Sequence, residues 1–479
     1  MTHSILLINS NTSRPPVSPV GLEYVGEALQ EAKMPVNILD LAFEADWKTA
    51  LARKVGDSEP LIVGLSVRNT DDCCFATRKS FLPWTRDVVN EIRRLTKAAV
   101  ILGGVGFSVM PQTVLSQTLA DYGVAGDGEE TMVALTQHLL RSDSVSQLHN
   151  LVYWCQGNII SNPRINVDTQ YMPLPRRRLF DNRRYEQYGA MVGIETKRGC
   201  NQRCIFCADP LAKGNKIRLR PPSSVVQEFR DLVAQKVTWF HLCDSEFNLP
   251  VSHAKEICLE IIRRRLGDRL NWYTYASPVP FTQEIATIFQ RAGCRGINFG
   301  VDSGNNHILQ VLGKDFTTED LQHTASICHQ QGLVFMYDLL IGGPKETKET
   351  LQQTIRVMKQ LSPSRVGATL GMRIFPGTKL SNMVRQMGPL NTNPNLHGSV
   401  NRNEQFFTPV FYLSSALGEN VSQYVSSLIE EDERFFFMNS PEDNAKNYNY
   451  NENSLLVEAI RKGYRGAFWD ILRRLHKGY

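Results

Sequence analysis

Three cysteines, Cys200, Cys204 and Cys207, fall within eight consecutive positions of the run Gly199-Cys200-Asn201-Gln202-Arg203-Cys204-Ile205-Phe206-Cys207. Three thiolates on one short loop can take three irons of a cubane and leave the fourth iron open to a small molecule. Zinc is the rival occupant, but a structural zinc site takes four protein ligands, usually as two spaced pairs. Neither a second CxxC pair nor a nearby His supplies the fourth ligand. Three unrelated buried thiols are the remaining reading. The other seven cysteines (Cys73, Cys74, Cys155, Cys243, Cys258, Cys294 and Cys328) are scattered, as befits an intracellular chain without a disulfide framework.

A chain of 479 residues is too long for one hydrophobic core, so two large domains and an appendage are expected. With 42% apolar and 21% charged residues the composition is that of a globular protein rather than a disordered one. No apolar run approaches the roughly 20 residues that cross a bilayer, and Met1-Thr2-His3 leads into a strand-like stretch rather than a basic signal. These features predict a cytoplasmic protein with no membrane partner. The formal charge of +5 is small and its Lys and Arg residues are interspersed with acids, so no nucleic-acid partner is expected.

The elements that must hold the cysteines come in two alternating series. In the first, Ser4-Ile8, Val36-Leu39, Leu61-Val67, Val100-Leu102 and Tyr122-Ala125 read as strands, separated by helical patterns such as Gly21-Ala32, Trp84-Leu95 and Glu130-Leu140. Strands alternating with helices predict a parallel, doubly wound sheet over residues 1–150, with ligands beyond the carboxyl ends of its strands. Those ends carry Asn9-Ser10-Asn11-Thr12, Ser66-Val67-Arg68-Asn69, Gly103-Gly104-Val105-Gly106-Phe107 and Gly126-Asp127-Gly128-Glu129, either a site for a large polar ligand or ordinary turns. A connection over 151–188 follows. Its Pro-, Arg- and Asn-containing part, from about Asn162 to Arg184, is irregular, and its triplet Arg176-Arg177-Arg178 is expected to be solvated.

The second series occupies 189–385. Met191-Thr196, Thr238-Cys243, Leu270-Ala276, Gly296-Val301, Leu333-Ile341 and Arg365-Ile374 read as strands, with helices such as Ser223-Gln235 and Ser252-Arg265 between them. Six strand-helix units predict a partial parallel barrel with its chemistry at the carboxyl ends, which is where the cysteine run falls. Residues 386–479 are expected to be mainly helical and to end in one amphipathic helix from Ser454 to Leu475. The aromatic residues Phe435-Phe436-Phe437, Tyr448, Tyr450 and Trp469 are either core or a cover over substrate.

The run Glu195-Thr196-Lys197-Arg198-Gly199-Cys200, followed by Cys204-Ile205-Phe206-Cys207 with its aromatic before the third cysteine, resembles the radical S-adenosylmethionine superfamily. The alternating N-terminal domain resembles the cobalamin-binding domain of one large branch of it. The resemblance implies an α/β chain: a doubly wound Rossmann-like cobalamin-binding domain, a partial (β/α)6 barrel of TIM type and a mainly helical C-terminal region. It implies a 4Fe-4S cluster on Cys200, Cys204 and Cys207, with S-adenosylmethionine chelating the open iron and Phe206 beside it.

By the same resemblance Glu246, in an Asp244-Ser245-Glu246 run that departs from the usual Gly-Gly-Glu, contacts the amino group of S-adenosylmethionine. So acidic a neighbour could instead ligate the open iron, or be a surface carboxylate. Asp302 and Ser303, in Gly300-Val301-Asp302-Ser303-Gly304, resemble the strand end that meets the ribose and carboxylate. Asp338, in Asp338-Leu339-Leu340-Ile341-Gly342-Gly343-Pro344, resembles the fifth-strand signature near the adenine, and Phe375-Pro376-Gly377-Thr378 resembles the sixth. Asn9, Thr12, Ser66, Gly104, Gly106 and Gly128 are the expected contacts to the corrin and its nucleotide tail. Arg68 resembles a position near the lower cobalt face, where a guanidinium cannot ligate and favours electron-rich cobalt; the alternative is a surface Arg paired with Asp71 or Asp72. The Asp-x-His-x-x-Gly motif that supplies a cobalt-ligating His in many cobalamin proteins is absent.

Together the cofactors imply methyl transfer to an unactivated carbon. Cobalamin takes a methyl group from one S-adenosylmethionine, and a 5′-deoxyadenosyl radical from a second removes hydrogen from the substrate. The rivals are a rearrangement, a cyclisation, polar methylation of an aromatic carbon such as that of indole, or, in a different class, a redox sensor without turnover. The substrate is a small molecule, a peptide or a protein, and an external electron donor such as flavodoxin or ferredoxin is expected. A tRNA methylthiotransferase is disfavoured, because its additional N-terminal cysteine set has no match.

Overall fold

The structure, a computed structural model, describes residues 4–170, 172, 174–438, 440 and 453–476. The first sheet contains β1 (Ser4–Asn9), β2 (Val36–Asp40), β3 (Pro60–Ser66), β4 (Ala99–Gly103), β5 (Tyr122–Val124), β6 (Leu151–Cys155) and β7 (Asn158–Ser161) in the order β2-β1-β3-β4-β5-β6-β7. The first five strands are parallel. All six residues of β1 are buried, as expected of a parallel strand covered by helices on both faces.

The sheet continues past the boundary expected at residue 150. β6 and β7 form an antiparallel hairpin on its edge, closed by Gln156-Gly157, both at positive φ (49° and 80°). A two-residue turn of that conformation matches the twist of the flanking strands. The rest of the connection includes a helix at Asn182–Gln187 and is not uniformly solvated. Arg177 is fully buried between Glu23 and Glu228, while its neighbours Arg176 and Arg178 are exposed.

The second large sheet runs β19-β15-β14-β13-β12-β11-β8 and is parallel throughout. Its members are β8 (Val192–Ile194), β11 (Trp239–Leu242), β12 (Asn271–Ala276), β13 (Cys294–Asp302), β14 (Phe335–Ile341), β15 (Arg365–Leu370) and β19 (Phe435–Phe437). β9 (Lys197–Arg198) and β10 (Arg218–Leu219) pair across the cysteine loop, and β16 (Met372–Arg373), β18 (Val410–Tyr412) and β17 (Leu396–Gly398) make a small antiparallel sheet. Each of the six expected barrel strands is present.

In the C-terminal part, Phe435, Phe436 and Phe437 extend the barrel sheet as a buried seventh strand instead of covering a ligand. The expected single helix is two, Ser454–Arg461 and Phe468–His476. Gly463 and Gly466 between them take φ of 96° and 117°, a backbone that other residues rarely adopt. Trp469 is core, packed edge-on to Tyr273. Tyr448 and Tyr450 lie outside the described residues. Among the described residues no helix is long and apolar enough to cross a membrane.

Candidate active site

The carboxyl ends of the two sheets face one another across a cavity of about 700 Å³. From the first sheet come Asn9, Ser66, Arg68, Gly104 and Gly128. From the barrel come Cys200, Cys204, Phe206, Cys207, Glu246 and Asp302. The structure thus brings eleven of the fifteen expected residues to one wall system. Thr12, Gly106, Ser303 and Asp338 do not line it.

The cysteine loop is held from both sides. At Gly199, φ is 85° and a Cβ would stand 2.1 Å from Lys216 O, so only glycine lets the chain turn here. Cys200 N donates to Gly214 O (3.1 Å) and Ile205 N to Leu312 O (3.1 Å). Burial pushes the Cys204 thiol up to about 11, tempered by Lys314, and raises Cys200 and Cys207 as well. Iron binding would therefore displace protons from all three. Among the described residues no three His, Cys, Asp or Glu side chains gather as a single-ion site requires. The three thiols instead line a shared cavity, which suits a cluster spread over several irons.

The three residues in the place of the usual Gly-Gly-Glu divide their work. Asp244 accepts from Thr196 N (2.9 Å) and Thr196 Oγ1 and so fixes the strand that leads into the cysteine loop. Ser245 Oγ donates to Asp209 (2.6 Å). Glu246 faces the cysteines, and its buried Oε2 has no hydrogen-bond partner. Burial pushes its carboxyl up to about 7, while Lys314 pulls against the rise and Asp302 adds to it. A buried carboxylate oxygen left open beside three thiols fits a cluster, or a ligand on it, as the missing partner.

Asp302 sits at φ 66° after a bulge in β13 and is paired with Lys314 Nζ at 2.6 Å. Ser303, one residue on, is fully buried with its hydroxyl on Thr354 (3.1 Å), and Asp338 accepts from Asn298 (2.7 Å). Ser303 therefore supports the strand end from behind the wall, whereas Asp338 pairs with Gly300 on the barrel's inner face, just outside the cavity lining.

On the facing side, Asn9 lines the cavity while donating to Asp40 (2.9 Å) and to Tyr185 Oη (2.8 Å). Gly106 N donates to Val67 O and Arg68 O (3.0 and 2.9 Å), and a Cβ there would collide with the Asn69 backbone at 2.9 Å. It shapes the loop that bears Arg68 rather than the wall itself. Arg68 lines the cavity, and Asp71, one of the two acids expected as its alternative partner, is buried against Arg373 at 2.9 Å. A side chain at Gly103 would meet nothing nearer than 3.9 Å and would enter the open space, so the wall is backbone there, as a large flat ligand needs. Thr12 is exposed.

Several wall residues escaped the sequence reading. His241 and Tyr275 point inward from β11 and β12 with rings edge to face at 5.4 Å, and Asp209, Lys213 and Lys314 supply charge. The period-2 alternation of β11, with Phe240 and Leu242 buried on the other face, was the available signal for His241. Lys314 follows a glycine-capped helix end and carries no such signal.

Residues 7–136 match the profile of the B12 binding domain, and residues 194–358 that of the Radical SAM superfamily. A tryptophan 2-C-methyltransferase from Streptomyces laurentii is 30% identical, over 97% of this chain and 95% of its own. The solved structure of TsrM, a radical S-adenosylmethionine methyltransferase from Kitasatospora setae with tryptophan substrate and an aza analogue of S-adenosylmethionine bound, superposes with a TM-score of 0.93 at 30% identity, covering 99% of this chain and 98% of that one. The same enzyme with cobalamin and a [4Fe-4S] cluster bound gives 0.91 at 28% identity, covering 100% and 98%. The chain belongs to the cobalamin-dependent radical S-adenosylmethionine enzymes, and it is a methyltransferase that uses a 4Fe-4S cluster and cobalamin to move a methyl group from S-adenosylmethionine to carbon.

Proposed function

We propose that the methyl acceptor is an aromatic ring carbon of a small molecule of the tryptophan class, and that transfer to it is polar. The observation that carries the substrate reading is the end-to-end similarity to a tryptophan 2-C-methyltransferase, at 30% identity over 97% of the chain. An indole carbon is nucleophilic, so it can accept a methyl group without prior loss of a hydrogen atom. The open carboxylate of Glu246 beside the cysteines supports the polar reading, because a protein ligand on the fourth iron would keep S-adenosylmethionine from being chelated and cleaved there.

The bound cofactors supply a reduced metal that takes up and passes on the methyl group, with S-adenosylmethionine as its source. In this reading Cys200, Cys204 and Cys207 hold three irons and Glu246 addresses the fourth. Asn9, Ser66, Gly104 and Gly128 would receive the corrin, Arg68 beside it would favour electron-rich, unligated cobalt, and Phe206 and the Asp302–Lys314 pair would border S-adenosylmethionine. Thr12, Gly106, Ser303 and Asp338 act at most through their neighbours. An external flavodoxin- or ferredoxin-type donor and the reducing cytoplasm suit such a centre, and residues 1–161 and 189–385 are the two cofactor-bearing units.

The test is turnover of the full chain, reconstituted anaerobically with iron, sulfide and cobalamin, on tryptophan and methyl-labelled S-adenosylmethionine. Labelled methyltryptophan without matching 5′-deoxyadenosine is expected. Stoichiometric 5′-deoxyadenosine would overturn the polar route, and failure to methylate tryptophan or simple indoles would overturn the substrate class.

A further inference from the structure

Methylating an aromatic carbon releases a proton, and something in the cavity must take it. Most side chains that could do so are committed. Asp209 is held by Ser245 and Lys213, Asp244 by Thr196, Asp302 by Lys314, and Glu195 by Arg198. Among the described residues of the cavity wall, two buried side-chain atoms have neither a hydrogen bond nor an ion pair: Glu246 Oε2 and His241 Nδ1. Glu246 faces the cysteines. His241 stands five residues earlier, on β11, with Tyr275 edge-on beside it.

We propose that His241 is a catalytic residue of this enzyme, the acceptor of the proton that the aromatic substrate loses on methylation. The proposal rests on the polar reading given above. A π pair of the ring forms the bond to the methyl carbon, and the pair that joined methyl to its donor stays with the donor. The ring proton passes to the imidazole while its bonding pair restores aromaticity. No oxidant or reductant is consumed in this step.

The surroundings suit the role. Burial first, then the nearby charges of Arg68 and Lys213, pull the imidazole down to about 4, so it enters the step neutral, with no hydrogen bond at Nδ1 to compete for the proton. The groups around it are Arg68 from the first sheet, Lys213 from the helix after the cysteine loop, Tyr275 from the neighbouring strand and Cys243 two residues on at the end of its own strand. A weak base is sufficient, because a methylated cationic ring is a strong carbon acid. The two cations then expel the proton from the imidazolium and reset the site.

The experiment compares wild type and His241→Gln as reconstituted full-length enzymes. Methyl loading of cobalamin, read by visible absorption without acceptor, needs no base and should run at the wild-type rate. Methyltryptophan formation should fall on the order of 100-fold or more, as loss of a general base does, with the KM for tryptophan little changed. Added imidazole should partly restore His241→Gly. Equal product formation in His241→Gln, or a parallel fall in methyl loading, would overturn the proposal. So would a nitrogen splitting in the cob(II)alamin resonance spectrum that vanishes in the variant, because it would make His241 a cobalt ligand. A wild-type enzyme inactive on tryptophan would count against the substrate reading alone. The ring ¹⁵N signal of His241 still decides the base in that case: an unprotonated, unbonded Nδ1 from about pH 5 to about pH 8 supports it, and a protonated one overturns it.

Discussion

Arg198 Nη2 lies 2.6 Å from Glu129 Oε1, a buried ion pair that ties the cysteine loop of the barrel to the Gly126–Glu129 turn of the cobalamin-binding domain. Arg198 also reaches Asp127 (3.2 Å) and Glu195 (3.0 Å). Burial pushes the Glu129 carboxyl up, but Arg198 more than offsets this and leaves it below its usual range. Removing one partner strands the other charge in the interior. Arg198→Met should cost about 3–5 kcal/mol in chemical denaturation. Adding Glu129→Gln should recover part of that loss, and strict additivity of the two changes would show that the pair is not coupled.

A second clip uses the connection between the domains. Arg177 donates to Glu23 (2.6 Å), on the helix Val20–Glu31, and to Glu228 (2.6 Å), on the barrel helix Pro222–Ala234, and all three are fully buried. A planar guanidinium can serve both carboxylates at once, whereas an ammonium is a single point of charge. Arg177→Met should lose about 3–5 kcal/mol, with Arg177→Lys falling between it and wild type. Calorimetry should then resolve two transitions, one per domain. One undivided transition in Arg177→Met would assign the coupling to other contacts.

Cys243 separates the cluster ligands from a bystander. It lines the same cavity as Cys200, Cys204 and Cys207, yet it sits outside their loop, at the carboxyl end of the neighbouring strand β11, and burial pushes its thiol up to about 12. Replacing any of the three loop cysteines with Ala should reduce iron in the reconstituted protein to background. Cys243→Ala should retain the wild-type iron content and the visible absorption of the cluster. Loss of iron in Cys243→Ala would bring a fourth thiol into the ligand set.

The strands were legible because their apolar runs repeat between polar ends, and the cysteines because three thiols so closely spaced have few other uses. Tertiary pairing was not. Gln156-Gly157 is a weak turn signal beside the proline- and arginine-rich stretch that follows, so the hairpin merged into the expected linker. Arg177 reads as a surface residue until Glu23 and Glu228, 154 and 51 positions away, are brought against it. His241 and Lys314 reach the cavity through strand direction and a helix end, and neither belongs to a motif. Ser303 occupies a motif position but faces away from the open space, since one bulge in β13 decides which of Asp302 and Ser303 points inward, and Asp338 lies on the inner face of β14 just outside the cavity lining.

The loop after β14 carries a pH dependence of its own. Glu346 is buried, accepts hydrogen bonds from Gly342 N and from Gly343 N (3.2 Å), and also anchors Ser414 through its carbonyl (2.7 Å). Burial raises its carboxyl from 4.5 to about 7, against the pull of the two backbone donors. Between these values the folded state binds more protons than the unfolded state, so stability falls as pH rises. The contribution is fully present below about pH 4.5 and is lost as pH passes through about 7, roughly 3 kcal/mol in all. Glu346→Gln keeps an acceptor for the two N–H groups and cannot ionise. Its urea midpoint should therefore gain on wild type as pH is raised from about 5 to about 8, and the two should converge in acid. Parallel curves across that range would mean that Glu346 is ionised throughout, stabilised by the two backbone donors alone.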